Sequence, residues 1–91
     1  MQYVTCYDIA DDHRRGHLAQ TLLDFGTRIQ ESVFVANLDE ELKETMLSRV
    51  RNTVEASEDR VHVFLLCSAC ANRTITIGQA ETVRDEDFYI V

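Results

Sequence analysis

Two amphipathic helical patterns, separated by strand-like segments, constrain the fold of this chain more than any other feature. In the first pattern, Leu18, Leu22 and Phe25 recur at the spacing that places side chains on one face of a helix. The second pattern repeats this spacing from Leu42 to Val54. Each predicted helix therefore has one apolar face, which must be buried against another layer of structure.

Segments rich in β-branched and aromatic residues supply that second layer. Between the helices, residues 27–38 alternate, with Val33 and Val35 on an apolar side and Arg28 and Phe34 on a polar side. Two alternatives stay open for this stretch: one bent strand, or a short hairpin without an internal glycine or proline. The other predicted strands cover residues 3–9, 61–67, 74–77 and 88–91.

Polar residues between these segments predict where each helix begins and ends. Asp11 or Asp12 can cap the first helix, and Asn37 or Asp39 can cap the second. Gly26 follows the first helical pattern and predicts a left-handed stop. The order of strands and helices predicts a small α+β sandwich, with two helices on one face of an antiparallel sheet.

Length and composition favour one domain over residues 1–91. The chain is 45% hydrophobic and 27% charged, and no apolar run reaches the roughly 18 to 20 residues of a membrane span. The amino terminus has no basic leader, so we expect a cytoplasmic protein with no membrane partner. Because a domain this small buries only about 60 to 65% of its unfolded-chain surface, we also expect a homodimer.

The charge of the chain argues against broad, non-specific attraction to nucleic acid. Nine basic and 16 acidic residues give a net charge of −7, which disfavours phosphates over most of the surface. A local basic site, or a metal ion that bridges to phosphate, stays compatible with this charge.

Asp8 lies at the end of the first predicted strand, directly before a loop, and is the candidate metal ligand. A strand end holds a carboxylate rigidly at the surface, and hard cations such as magnesium prefer carboxylate oxygens. One carboxylate makes a poor site, but a symmetric dimer with this strand end near its axis would bring two copies of Asp8 to one ion. The alternative is an ordinary turn or capping residue.

Three arginines are candidate phosphate ligands. Arg14 and Arg15 lie in the first turn of the first helix, and Arg28 begins the next strand. Guanidinium groups suit phosphate oxygens, and a helix amino terminus adds backbone donors. Phe34 could stack on a base or pack against a partner chain. The alternative is that the arginines neutralise acidic neighbours, namely Asp11, Asp12 and Glu31.

Cys67 and Cys70 form a CxxC motif, a spacing found in zinc sites and in redox motifs. The chain has no second cysteine pair to complete a zinc site. A redox motif would open a helix, whereas these residues are predicted in a short connector. We therefore interpret them as buried or half-buried free thiols, with a site shared across a dimer as the remaining alternative.

Several of these features occur together, in order, in one known family. No single feature is diagnostic, but the ordered set covers nearly the whole chain. On this basis the chain resembles the small CRISPR-associated endonucleases of spacer acquisition, the Cas-two family. The residues that carry the resemblance are Tyr7-Asp8-Ile9, Asp11-Asp12, Arg14-Arg15, Arg28-Ile29-Gln30, Ser32-Val33-Phe34 and Leu66-Cys67.

The resemblance implies a fold, an assembly and a site. The fold is a ferredoxin-like βαββαβ sandwich with an extra carboxy-terminal strand, in a homodimer where that strand, within residues 78–91, packs on the partner chain. Asp8 of both chains is implied to hold one magnesium ion at the dimer interface. The other implied site positions are Tyr7, Arg15, Arg28 and Phe34.

We therefore expect a magnesium-dependent endonuclease for RNA or double-stranded DNA that also joins the larger CRISPR integrase protein. Asp8, Arg15 and Arg28 are the expected catalytic residues, and no general base is evident, so turnover should be slow. The alternatives are a non-catalytic bridge in the integrase complex or a toxin-like ribonuclease of the same fold. His17 and Glu31 stand where the family often carries more basic residues, which disfavours strong duplex binding. The expected nucleic-acid contacts are Tyr7, Arg14, Arg15, Arg28 and Phe34.

Overall fold

The computed structural model describes residues 1–73, 75, 77–78, 84–85 and 88–89. In this part of the chain, strands and helices follow one another along the sequence. The predicted order of elements is confirmed as far as the long strand that ends near residue 66. The elements are β1 (Gln2–Asp8), α1 (Asp12–Leu23), β2 (Thr27–Gln30), β3 (Val33–Asn37), α2 (Glu40–Thr53), β4 (Arg60–Leu66), α3 (Ser68–Ala71), β5 (Arg84–Asp85) and β6 (Phe88–Tyr89).

The four longer strands form one antiparallel sheet in the order β2-β3-β1-β4. β1 lies between β3 and β4, and its pairing with β4 runs from Gln2 opposite Leu66 to Asp8 opposite Arg60. With α1 and α2 packed on one face, this is the ferredoxin-like βαββαβ arrangement, which confirms the predicted class. The end of β1 therefore lies beside the start of β4.

The stretch between the two long helices is a hairpin, with Glu31 and Ser32 as its turn. Two-residue hairpin turns usually need left-handed residues, yet no non-glycine residue of the described ranges has a positive φ. Instead, the strand pairing shifts register between Arg28 and Gln30. Tyr7 donates its backbone N–H to the Ser32 carbonyl at 3.2 Å and its hydroxyl to the Glu31 carbonyl at 3.1 Å. The turn therefore forms without a glycine, with a register shift in β2 and two hydrogen bonds from Tyr7 that hold its backbone.

Aspartates begin both long helices. Asp11 caps α1, and its carboxylate accepts the backbone N–H of Arg14 at 2.8 Å. Asp39 caps α2 and accepts the backbone N–H of Leu42 at 2.7 Å. The structure thus selects one of the two predicted candidates at each helix start.

Gly26 has a different role from the left-handed stop that its position predicted. α1 ends at Leu23, and Gly26 does not have a positive φ. A Cβ at this position would lie 2.1 Å from the Val35 carbonyl oxygen and 2.8 Å from the Ala36 Cβ. Gly26 is therefore required for the close approach of this turn to β3, where a side chain has no room.

The main core lies between the sheet and the two long helices. Leu18, Leu22 and Met46 are its most enclosed side chains. Phe34 is 2% exposed and packs in the same core. Its predicted position on a polar, exposed side is therefore wrong, because α1 and α2 cover the side of β3 on which it lies. The sheet contributes Tyr3, Tyr7, Phe34 and Ala36 to this core.

The opposite face of the sheet, which we call the open face, carries no helix among the described residues. Here Val35 forms a small cluster with three partly buried side chains, Val4, Ile29 and Leu66. Phe64, opposite Val4, is 53% exposed. Because side chains alternate along a strand, Asp8 shares this face with Val4. The candidate metal ligand therefore lies on the uncovered side of the molecule.

The structure describes only some of the residues in the two carboxy-terminal strands that the sequence predicts. Ile75 and Ile77 are described and are not in a strand, whereas residues 74 and 76 lie outside the described residues. β5 pairs with β6, and residues 90–91 of the predicted terminal strand also lie outside. The packing of this segment on a partner chain stays a prediction. In the described ranges, none of the helices has the length and apolar character needed to span a membrane.

Candidate functional site

Asp8 ends β1 on the open face, and its side chain is exposed. Its cross-strand partner is Arg60, the first residue of β4, which is also exposed. Within the described residues, neither side chain forms an ion pair or a hydrogen bond. Both charged groups are therefore available to a ligand, and Arg60 is a functional candidate that the sequence analysis missed.

β4 continues the open face from Arg60 through His62 and Phe64, whose rings stack with centroids 6.0 Å apart. His62 pairs with Cys6 and therefore lies diagonal to Asp8; such diagonal neighbours are about 7 to 8 Å apart. The sequence analysis found no general base, whereas this pairing brings an exposed imidazole next to Asp8. The sequence alone does not predict that His62 is a neighbour of Asp8, because this depends on the register between β1 and β4.

Arg15 braces the backbone that follows Asp8. Its guanidinium donates to the Ile9 carbonyl at 2.9 Å and pairs with the Asp12 carboxylate. The pairing with Asp12 is one of the acidic contacts that the sequence analysis offered as an alternative. The contact with Ile9 makes Arg15 a positioning residue for the loop between β1 and α1.

Arg14 is held by a buried carboxylate, Asp59, which immediately precedes β4. The Asp59 side chain is fully buried and accepts from Arg14 Nε at 3.0 Å and from the backbone N–H groups of Ala10 at 3.1 Å and Glu55 at 2.8 Å. Arg14 also pairs with Glu58 at 2.9 Å. Arg14 therefore directs its Nε and Nη2 donors to two carboxylates, and its contact with phosphate stays a prediction.

The same contacts set the charge of Asp59. The hydrogen bond from the Arg14 guanidinium, followed by those from the backbone, lowers the pKa of the Asp59 carboxyl to about 2. A carboxylate with this pKa stays ionised at neutral pH and ties the loop after Asp8 to the start of β4. The sequence placed Asp59 in an ordinary polar turn, and no local pattern distinguishes it from its acidic neighbours.

Arg28 lies on the edge strand β2 and is bound at the hairpin turn. It donates to the Glu31 carbonyl at 2.6 Å, and its guanidinium carbon lies 5.5 Å from the centre of the Phe34 ring. Phe34 in turn stacks on Tyr7 with centroids 6.1 Å apart. Tyr7 and Phe34 are only 7% and 2% exposed. Their burial contradicts the prediction that they contact the bases of a nucleic acid.

The structure brings only some of the predicted site residues to the end of β1. Arg15 and Arg28 both bind backbone carbonyls near the end of β1, directly or through the hairpin turn that Tyr7 anchors. The Asp8 carboxylate has the chemistry that magnesium prefers. However, the described residues contain no group of three side chains that could hold a metal ion. A magnesium site at Asp8 would therefore take its other donors from outside this described set, such as water, a substrate or a second chain.

Together, the fold and the strand-end aspartate define a small ferredoxin-like protein with an exposed carboxylate on its open face. A family model described as CRISPR associated protein Cas2 matches residues 1–74. The chain is 33% identical over 88 residues to the CRISPR-associated endoribonuclease Cas2 3 of Chloroflexus aurantiacus, covering 97% of this chain and 95% of that protein. The chain therefore belongs to the Cas2 family of CRISPR-associated proteins, as its resemblance predicted.

A further relative and a solved structure agree with this assignment. The chain is 35% identical over 77 residues to the CRISPR-associated endoribonuclease Cas2 4 of Rhodospirillum rubrum, covering 85% of this chain and 62% of that protein. The chain thus spans less than two thirds of that relative. The crystal structure of a hypothetical protein, TT1823, from Thermus thermophilus superimposes with a TM-score of 0.80 at 32% identity, covering 88% of this chain and 93% of that one.

Proposed function

We propose that a homodimer of this protein is a magnesium-dependent endonuclease that cleaves phosphodiester bonds in RNA or double-stranded DNA. The observation that carries the proposal is the exposed carboxylate of Asp8 at the end of β1 on the open face, which has no ion-pair or hydrogen-bond partner among the described residues. The relatives named endoribonucleases support the same class of reaction.

The open face supplies the reason for a dimer. Phe64 is more than half exposed on it, beside a cluster that no helix covers among the described residues. A second copy that covers this face would bury Phe64 and gain apolar contact area. In a two-fold arrangement with the ends of β1 near the axis, Asp8 and Asp8 of the partner subunit would hold one magnesium ion.

The residues around Asp8 have separate roles in the proposed cleavage of the phosphodiester bond. Magnesium, when bound, supplies positive charge that polarises the scissile phosphate and favours ionisation of an attacking water. Arg60 faces the same surface, has no partner among the described residues, and offsets the negative charge that develops on the phosphate. His62, exposed on the same face and diagonal to Asp8, accepts a proton in this proposal, through a bridging water. Arg15 and Arg28 keep the backbone on either side of β1 in place.

Substitution of Asp8 by asparagine tests this proposal. We expect magnesium-dependent cleavage of single-stranded RNA or duplex DNA by the purified wild-type protein. The Asp8→Asn variant should lose at least about 100-fold of that rate, because the metal ligand is removed while the side-chain volume is kept. The assay compares labelled RNA and DNA side by side, with magnesium and with a chelator.

Asp24→Asn is the matched control, because it removes a carboxylate from the far end of α1, roughly 18 Å along the helix axis from its first turn. This variant should cleave at the wild-type rate. Equal cleavage by the wild type and Asp8→Asn, or cleavage that persists in the chelator, would contradict the assignment of Asp8.

A second candidate function is a non-catalytic bridge that binds the larger integrase protein. Its support is the acidic start of α2, where Glu40 and Glu41 in the first turn and Glu44 just after it are all exposed, together with the internal pairing of Arg14 and Arg15. An acidic surface favours a basic protein over a nucleic acid. Under this function, cells with Asp8→Asn would still acquire new spacers although cleavage is lost.

A further inference from the structure

The CxxC motif lies at a strand-to-helix junction, which differs from its predicted environment. Cys67 follows the last residue of β4, and Cys70 lies in the one-turn helix α3, Ser68–Ala71. Both side chains are exposed and free, so the prediction of buried or half-buried thiols is wrong. The predicted connector is a helical turn, continued by a hydrogen bond from the Arg73 N–H to the Cys70 carbonyl at 3.1 Å.

The helical turn brings the two thiols together and makes them unequal. The Cys67 sulfur accepts hydrogen bonds from the backbone N–H and from the thiol of Cys70. These contacts lower the pKa of the Cys67 thiol, while the same side-chain contact raises the pKa of the Cys70 thiol. An exposed cysteine whose thiol has a lowered pKa, one helical turn from a second exposed thiol, is the arrangement of reversible redox sites.

We propose that Cys67 and Cys70 form a reversible intramolecular disulfide by exchange with low-molecular-weight disulfides such as oxidised glutathione. The Cys67 thiolate attacks one sulfur of the small disulfide, whose S–S bond breaks and releases one thiolate. Cys70 then loses its proton and attacks the Cys67 sulfur, which releases the second thiolate. The protein loses two electrons and two protons, and the small disulfide is reduced to two thiols.

Other uses of this pair fit the structure less well. A tetrahedral zinc site needs four ligands, and no group of three metal-binding side chains occurs in the described ranges. A packing role needs burial, which neither thiol has. The pair also lies at the opposite end of the seven-residue strand β4 from Arg60, roughly 20 Å away. The thiol chemistry can therefore be tested independently of the nuclease proposal.

The experiment treats the full folded chain with excess oxidised glutathione, alkylates the remaining thiols and measures intact masses and peptides. The wild type should lose two free thiols and two hydrogen atoms in mass, keep Cys6 reduced, and return to three thiols with a dithiol reductant. Cys70→Ser should stop at a glutathione adduct on Cys67. Cys67→Ser should react at least about tenfold more slowly than Cys70→Ser, because the activated thiol is gone.

Cys6→Ser is the matched control and should form the Cys67–Cys70 disulfide at the wild-type rate. A second measurement compares the alkylation rate of Cys67 in the folded chain and in urea, where the activating contacts are lost and the rate should fall. Stable glutathione adducts on the wild type, disulfides between chains, or equal reactivity of Cys67 and Cys70 would each overturn the proposal, whatever the outcome for cleavage.

Discussion

The two faces of the sheet differ in how far the described helices cover them. On the covered face, Leu18, Leu22 and Met46 are at most 1% exposed and pack against aromatic side chains of β1 and β3. On the open face, Val35 is the one buried apolar side chain among the described residues, and Phe64 remains 53% exposed. The chain therefore stabilises itself mainly through one face and presents the other for recognition.

The same contrast holds for two carboxylates that lie near each other at one end of the sheet. Asp59 is enclosed and satisfied by donors from three parts of its own chain. Asp8 is exposed and has no such donor among the described residues. A carboxylate that the fold satisfies holds the structure together, whereas one that the fold leaves unsatisfied can bind a ligand.

Removing a side chain from the covered face should give the largest loss of stability. Met46→Ala leaves a cavity in the core and should lower the free energy of unfolding by about 2 to 5 kcal/mol. Phe64→Ala on the open face should cost the monomer about 1 kcal/mol or less. Urea unfolding at low protein concentration measures both, and equal losses would show that the two faces stabilise the monomer alike.

Alanine substitutions at two glycines should have opposite effects on stability, because Gly26 has no room for a Cβ and Gly16 lies in open space. Gly26→Ala places a Cβ against the Val35 carbonyl and should cost about 1 to 3 kcal/mol. Gly16→Ala, in the exposed part of α1, meets nothing within 4 Å and should gain about 0.5 to 1 kcal/mol. Thermal unfolding checks both, and a Gly26→Ala protein as stable as the wild type would refute the close approach.

Acid should weaken the structure through Asp59 but not through Asp8. The Asp59 pKa of about 2 lies below its ordinary value of 3.8, so its stabilisation is present above about pH 4 and is lost as the pH falls through about 2. Asp59→Asn should already lower the melting temperature by roughly 5 °C or more near neutral pH and should flatten the decline in acid.

Circular dichroism melts between about pH 7 and 2 test this difference, with Asp8→Asn as the matched variant. That variant should keep the wild-type pH profile, since its side chain has no partner in the described fold. If Asp59→Asn and the wild type decline in parallel between about pH 4 and 2, the buried carboxylate does not contribute the acid sensitivity.

Local patterns predicted the two long helices, an aspartate cap for each, and the strands up to residue 66, and they pointed to the candidate metal ligand. They failed where contacts distant in sequence decide the outcome. Phe34 was placed on an exposed side because its neighbours are polar, but the helices cover that side. Gly26 was interpreted as a conformational stop, but the nearby backbone of β3 explains it. For Arg14, no local pattern indicated Asp59, 45 positions away, as its partner.

The sequence by itself determined the α+β class and the family and pointed to Asp8 as the candidate ligand, because periodicity, capping and ordered motifs are properties of neighbouring residues. Only the tertiary structure decided that residues 27–38 form a hairpin, that Arg60 and His62 lie beside Asp8, and that the two exposed thiols meet across a helical turn. These depend on strand register and on packing between distant segments, which no local pattern specifies.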